Sequence, residues 1–407
     1  MTGRTVAEKI LSRSSGRDVT AGDLVIVQLS RVMVHDSVID AVMSGMRELG
    51  KEQVWDTARV CVFVDHAAPA PTPVVADSHR VLREWVRAQG IATFYDAGEG
   101  VCHQIMVEEG YCEPGTVIVG SDSHSNSYGA VGAFGAGMGA TDVAVALAMG
   151  RTWMRVPESL KVTFHGTLRR GVTPKDAIMR VVREVGTDGA RYACVEFHGA
   201  GSLPQGDRIT LAGMTTEMGA KAGVIVGTPE APEWLYPDPG AHYVREVEID
   251  LSTLEPQIAI PPRVDQVSDI SEASGIPVDV VFLGSCTNGR LVDMQQAARI
   301  LPGRRISTRV RLERRQVDLD FAHVAHAGIR IEPLRRLWGP DDDTGLRAHL
   351  GRHAGERDAV ALRQRARAVE LDARVARAVG ADLADDAHDR VLRGDATAQG
   401  AVERHFE

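Results

Sequence analysis

Five short apolar runs, at 60–64, 117–120, 161–164, 223–227 and 278–284, each pass into turn residues and then into helix-like sequence. Apart from 161–164 (KVTF), they are apolar at most positions rather than at every second one. That pattern reads as strands covered on both faces, the condition of a parallel sheet sandwiched between helices. Several of the runs end in polar, glycine-bearing loops, where open α/β sheets carry their ligand sites. The expected fold class is therefore α/β, multi-domain and multi-layered. Two proline-rich stretches, 229–240 and 254–263, are expected to be ordered connections. No tandem repeat recurs at solenoid periods.

Composition narrows the function. With 407 residues, 44% of them apolar, the chain can bury more than one core. A formal charge of −9 gives no electrostatic footprint for nucleic acid or for an anionic membrane surface. No run approaches the roughly 20 apolar residues of a membrane span. Residues 1–5 lack the apolar segment of a secretory signal, so the expected address is the cytoplasm. Five irregularly spaced cysteines argue against a disulfide framework and leave buried thiols or a metal-type role.

The character of the sequence changes near Gly303. The last 104 residues hold 20 arginines and no lysine, cysteine, asparagine, methionine or tyrosine. Residues 1–303 read as a native catalytic core. Residues 304–407 read as a divergent Arg/Ala/Asp-rich segment, of the kind GC-rich DNA gives when translated out of frame; the alternative is a real divergent branch.

Five segments carry chemistry. Asp65 and His66 close the first run, and a carboxylate beside an imidazole fixes its orientation and raises its pKa, which suits a proton donor. Residues 98–104 (GEGVCHQ) lead through glycines to His103 at an expected helix start, with Cys102 read as a small buried hydrophobe. Residues 120–127 (GSDSHSNS) crowd acid, hydroxyl and imidazole into one strand-end loop, followed by glycines that allow close backbone approach. Gly135, Gly137 and Ala140 also satisfy a dinucleotide-type G-x-G-x-x-A. That fingerprint needs a strand directly before its first glycine, and the nearest clear run ends at Gly120. Residues 213–220 (GMTTEMGA) set Glu217 among small residues, and 281–290 (VFLGSCTNGR) place Cys286 between a strand and a helix, where a thiol pKa falls.

Taken in order, DH, HQ, GSDSH, a lone glutamate before MGA, and GSCTNGR resemble the large subunits of the aconitase family, in its 3-isopropylmalate dehydratase and homoaconitase branch. The resemblance runs from about Arg4 to about Arg305. It implies an aconitase-like α/β/α architecture with an atypical C-terminal segment. It also implies a hydro-lyase that isomerises a hydroxy-polycarboxylate by dehydration and rehydration on a [4Fe-4S] cluster, with leucine biosynthesis the first expectation and homoaconitate or methylmalate-like acids as alternatives. By the same resemblance, Asp65 and His66 form the acid pair, while His103, and His124 backed by Glu217, hold hydroxyl or water. Asp122 and Ser123 fix the loop and touch substrate, His35 contacts substrate, and Cys286 is a cluster ligand. A small swivel-domain subunit carrying the base serine is the implied partner, with no nucleic acid and no membrane. The sequence departs from the family at Gly213, usually asparagine, in lacking the downstream arginine motif, and in having no cysteine after Cys286. Two of the three cluster thiolates are thus missing, which makes a catalytically dead, cluster-less homologue that binds a partner or ligand the second expectation.

Overall fold

The computed structural model describes residues 3–277, 280–282, 284–285, 287, 289–300 and 311–313, all within the unit Met1–His323. Cys286 and most of the segment 304–407 lie outside the described residues.

The first layer of the fold is a parallel sheet of β2 (Arg31–His35), β3 (Val60–Phe63), β4 (Thr93–Tyr95), β5 (Val117–Gly120) and β6 (Phe134–Gly137), in the order β4-β3-β2-β5-β6. β3 and β5 are buried at every position, as their unbroken apolar runs predict. Helices α1 (Val6–Ser15), α2 (Ile39–Glu48), α3 (Pro73–Gln89), α4 (Cys102–Glu108) and α5 (Ala140–Met149) accompany it. Their ends are written locally. Thr5 and Glu8 form a reciprocal capping box on α1, and Thr72 caps α3 with Pro73 at its first turn. Gly16, Gly90 and Gly150 close α1, α3 and α5 in the left-handed conformation.

An antiparallel pair, β1 (Leu24–Gln28) with β7 (Arg151–Arg155), borders this sheet. A second parallel sheet follows in the order β10-β9-β8-β11, built from β8 (Ser159–His165), β9 (Cys194–His198), β10 (Ala222–Ile225) and β11 (Arg245–Asp250), with α6 (Pro174–Val185) and α7 (Gln205–Gly213). Two short ladders follow: β12 (Gln257–Ala259) with β13 (Val267–Asp269), and β14 (Val280–Phe282) with β15 (Arg311–Glu313), with α8 (Leu291–Ile300) between the last two strands in sequence. Among the described residues no helix is long and apolar enough to cross a membrane.

In the first sheet the chain winds from β2 outward through β3 to β4, then returns to the other side of β2 for β5 and β6. The connections leaving β2 and β5 at their carboxyl ends therefore part in opposite directions. That reversal is a topological switch point, beside which doubly wound sheets form the crevice that binds ligands. The loop after β5 becomes a long 3-10 stretch, Ser123–Val131, laid directly on the second sheet. The approach is so close that a Cβ on Gly129 would lie 1.6 Å from the Gly223 carbonyl oxygen.

Gly129→Ala is accordingly expected to destabilise the protein by about 3 kcal/mol or more, since backbone rather than a movable side chain occupies the space. Gly139→Ala, with nothing within 4 Å of the new methyl, is expected to change stability by less than about 1 kcal/mol. Thermal unfolding of both variants checks this.

Candidate active site

The site grows from the carboxyl ends of β2, β3 and β5. β2 delivers His35 as its last residue and Asp36 just beyond; β3 is followed by Asp65 and His66; β5 is followed by Ser121 and Asp122. From β4 the chain reaches the amino end of α4, where His103 is the second helical residue.

Asp122 is the meeting point. Its Oδ1 accepts from His103 Nε2 at 2.8 Å and from the His124 backbone N–H at 2.7 Å, with His124 Nδ1 at 3.4 Å. Its Oδ2 lies 3.3 Å from His66 Nε2. The other nitrogen of His66, Nδ1, makes a shorter 2.7 Å contact with Asp65 Oδ1, while Asp65 Oδ2 accepts the backbone N–H of Cys102 at 2.7 Å. The strand-end Asp-His pair is thus tied to both the α4 helix start and the GSDSH loop.

Glu217 arrives from the second sheet, on the 3-10 turn Met214–Met218 ahead of β10. Asn126 Nδ2 donates to Thr215 Oγ1 at 2.9 Å, and Thr216 Oγ1 donates to the Ser123 carbonyl at 2.6 Å. These bonds lace that turn to the GSDSH loop and leave Glu217 Oε1 3.6 Å from His124 Nε2, within ion-pair range. The Ser123 side chain stands exposed at the edge. Lys175, at the start of α6, donates to Thr287 Oγ1 at 2.7 Å, one residue past Cys286 in sequence. Gly213 sits against Ser127, whose hydroxyl would be 2.5 Å from a Cβ there.

The electrostatics divide two stacked rings. His35 and His66 lie face to face, centroids 3.7 Å apart and 17° from parallel. Burial, then the charge on His66, pushes His35 down to about 4. The Ser37 N–H donates to its Nδ1, so the remaining proton sits on Nε2, directed at the Ser121 carbonyl. Burial also disfavours a charged His66, yet the contacts with Asp122 and Asp65 outweigh it and raise His66 to about 10. Asp122 and Asp65 are both held below the usual carboxylate range: burial opposes this, but bonds from His103, His124 and His66 on Asp122, and from His66 on Asp65, prevail. The hydrogen bond from His124 lowers Glu217 as well. The ensemble is a charged imidazolium donor beside a neutral ring, in a nest of ionised carboxylates.

All the site residues expected from sequence and described by the structure (His35, Asp65, His66, His103, Asp122, Ser123, His124 and Glu217) lie around this one crevice. Sequence reasoning passed over Asp36, which accepts the backbone N–H groups of residues 65–67, and Asn126, which fastens Glu217's turn. Asp36 was signalled only by its place beside His35 at a strand end. The dinucleotide fingerprint dissolves: Gly135 and Gly137 lie inside β6, where Cβ atoms would strike the Ser125 and Asp122 carbonyls. These glycines make room for the site loop and form no phosphate turn.

A [4Fe-4S] cluster held by three thiolates can be tested against the donors present. Cys61, Cys102, Cys112 and Cys194 are buried free thiols, each pushed up from the ordinary thiol pKa by burial. Cys61 and Cys112 pack with Met33 and Tyr128, and Cys194 belongs to the second sheet. The Cys102 sulfur lies within 4.8 Å of ligand atoms of Asp65 and His66, but burial and then the Asp65 carboxylate keep it protonated, and with five cysteines in the chain only Cys286 remains. The donor set does not fit the cluster.

A cluster of carboxylates and imidazoles converging at the switch point of a doubly wound sheet is a candidate acid–base site. The sequence pattern of the Aconitase family (aconitate hydratase) matches residues 8–236 and 228–313, and the chain belongs to that family. It is 50% identical to a homoaconitase large subunit of Thermus thermophilus over 76% of each chain. It is 49% identical to a 3-isopropylmalate dehydratase large subunit of Deinococcus radiodurans, over 86% of this chain and 83% of that one. A solved aconitase X of Thermococcus kodakaraensis aligns over 70% of each chain with a TM-score of 0.46 at 14% identity.

The linkage of His66 to folding has a definite sign. Its pKa rises from the ordinary 6.5 to about 10 on folding. The stabilisation is therefore complete below 6.5, declines as the unfolded state loses its proton, and is gone above about 10. Asp122→Asn removes one of the two carboxylates responsible. The wild-type melting temperature is expected to fall between neutral pH and pH 10, and that of Asp122→Asn to fall by less over the same window, in melts followed by circular dichroism.

Proposed function

We propose that this chain is the large subunit of a hydro-lyase that isomerises a hydroxy-polycarboxylate, with 3-isopropylmalate the first candidate and homoaconitate-type or methylmalate-type acids next. One observation carries the reading: three imidazoles from three different segments meet on Asp122, and one of them, His66, also bonds Asp65, contacts that raise its pKa. The names of the relatives point to the same substrate class while differing in the acid.

Dehydration removes a proton from one carbon and hydroxide from its neighbour. The C–H pair becomes the new C=C bond, and the C–O bond breaks with its electrons on oxygen. Hydroxide is a poor leaving group, so a proton must reach that oxygen as the bond breaks. His66 meets the requirement. Its Nδ1 is fixed by the short bond to Asp65, while its Nε2 contact with Asp122 is long, at 3.3 Å, and is the one a substrate hydroxyl replaces. His103 and His124, oriented by Asp122 and Glu217, hold the released water for readdition at the neighbouring carbon. Ser123, at the exposed edge, and His35, beneath His66, contact substrate. The base that takes the carbon-bound proton belongs to a small swivel-domain subunit, in keeping with the large-subunit names of the relatives. Residues 1–303 form the catalytic core, and the setting is the cytoplasm.

The cysteine set favours a second reading, a cluster-less homologue that binds its partner or ligand without turnover. One experiment separates the two. The full chain, combined with a small subunit and treated anaerobically with iron and sulfide, is assayed for alkene formation from 3-isopropylmalate and related hydroxy acids. Activity that falls by about 10²–10⁴ in His66→Gln supports the hydro-lyase. A folded, colourless and inert protein that still binds the acid in calorimetry establishes the second reading and overturns the first.

A further inference from the structure

The acid pair is held from outside. The backbone N–H groups of Asp65 and His66 both point to Asp36 Oδ1, at 3.2 and 2.9 Å, and that of Ala67 points to Asp36 Oδ2, at 2.9 Å. Three consecutive amides converging on one carboxylate make a concave anion seat. A fourth donor, His79 Nε2 from α3, completes the set at 3.0 Å on Oδ2. The Asp36 side chain is wholly inaccessible, and that of His79 is only 4% exposed. All this lies behind the crevice, away from the face where His66 meets Asp122.

Amides pinned at three successive positions fix the directions in which the Asp65 and His66 side chains leave the backbone. Those directions are what allow Asp65 to span from His66 Nδ1 to the Cys102 amide, and His66 to reach Asp122. We propose that Asp36, seated by His79, is a positioning residue for the Asp65–His66 acid pair, orienting it so that His66 spans from Asp65 to Asp122. It touches no substrate. An uncharged capping group would not serve equally well. Four donors surround two oxygens, so an amide in place of the carboxylate turns its NH₂ toward two of them and leaves buried donors unmatched.

The use of the pair in catalysis rests on the hydro-lyase reading, but its orientation can be measured without turnover. The full chain labelled with ¹⁵N-histidine is followed by two-bond ¹H–¹⁵N correlation from about pH 6 to about pH 10, with His66 assigned through His66→Gln. The titratable groups facing His66 include His35, Asp65, Asp122 and Cys102, all unaltered in the variants. Asp36→Asn is expected to lower the His66 midpoint by at least about one pH unit, and His79→Leu to lower it less. His79→Gln, which keeps a donor nitrogen, is expected to restore it. His198, on the second sheet, reports that the fold is intact.

An unchanged His66 midpoint in folded Asp36→Asn overturns the proposal. If that variant does not fold, His79→Leu and His79→Gln decide: equal midpoints in the two overturn it, and a lower midpoint in His79→Leu alone supports it. A chain inert toward every hydroxy acid defeats the hydro-lyase reading and leaves this titration standing.

Discussion

One desolvated carboxylate organises the molecule's working end. Asp122, largely removed from water, is stable as an anion only if donors replace the lost solvent, and the donors are three imidazoles and a backbone amide drawn from three segments. To satisfy it, the α4 helix start, the loop after β3 and the loop after β5 must all close on the same point. The crevice at the reversal of the sheet supplies the space, and Asp122 determines what fills it. The close seating of Ser123–Val131 on the second sheet, with glycine at position 129, brings Glu217 within range from a separate layer.

Two rings in van der Waals contact have opposite fates because their partners differ. His35 is buried with both nitrogens engaged by neutral groups, the Ser37 amide and the Ser121 carbonyl, and burial together with the charge on His66 outweighs the pull of Asp122 and Asp65, so the ring stays neutral. His66 is bounded by two carboxylates and stays charged. The neutral ring can then lie flat against the cation without repulsion, supporting its plane while leaving its edge nitrogens free to serve Asp65 and Asp122. Groups pushed apart in pKa by their surroundings are the usual way one pocket holds an acid ready at neutral pH.

The sequence shows this site more fully than it shows the fold. β3 and β5 stand out because central parallel strands are apolar throughout, and the polar clusters at their ends mark the crevice. β6 is nearly invisible: Phe134-Gly135-Ala136-Gly137 has no β-branched residue, and it is a strand because glycine alone lets it run beneath the loop it supports. β9 is obscured by Glu196, a charged residue type in a fully buried strand position, satisfied by Ala7, Ser159 and Tyr243 from other elements. Asp36 is missed for a related reason. Its partners are main-chain amides some thirty residues away, and amides carry no sequence signal.

The acid–base centre and the thiolates expected of the family belong to separable parts of the construction. The bonds that converge on Asp122 and on Asp65 come chiefly from imidazoles and backbone amides. Of the cysteines nearest to it, Cys61 and Cys112 pack as small side chains in the core, while the Cys102 sulfur adjoins Asp65 and His66; burial keeps all three thiols protonated. A chain that loses two thiolates from a region beyond Cys286 therefore loses no contact that positions His66, His103 or His124. This independence explains how a sequence can depart so sharply from its family at one end and still hold, at the other, three imidazoles in register around a single carboxylate.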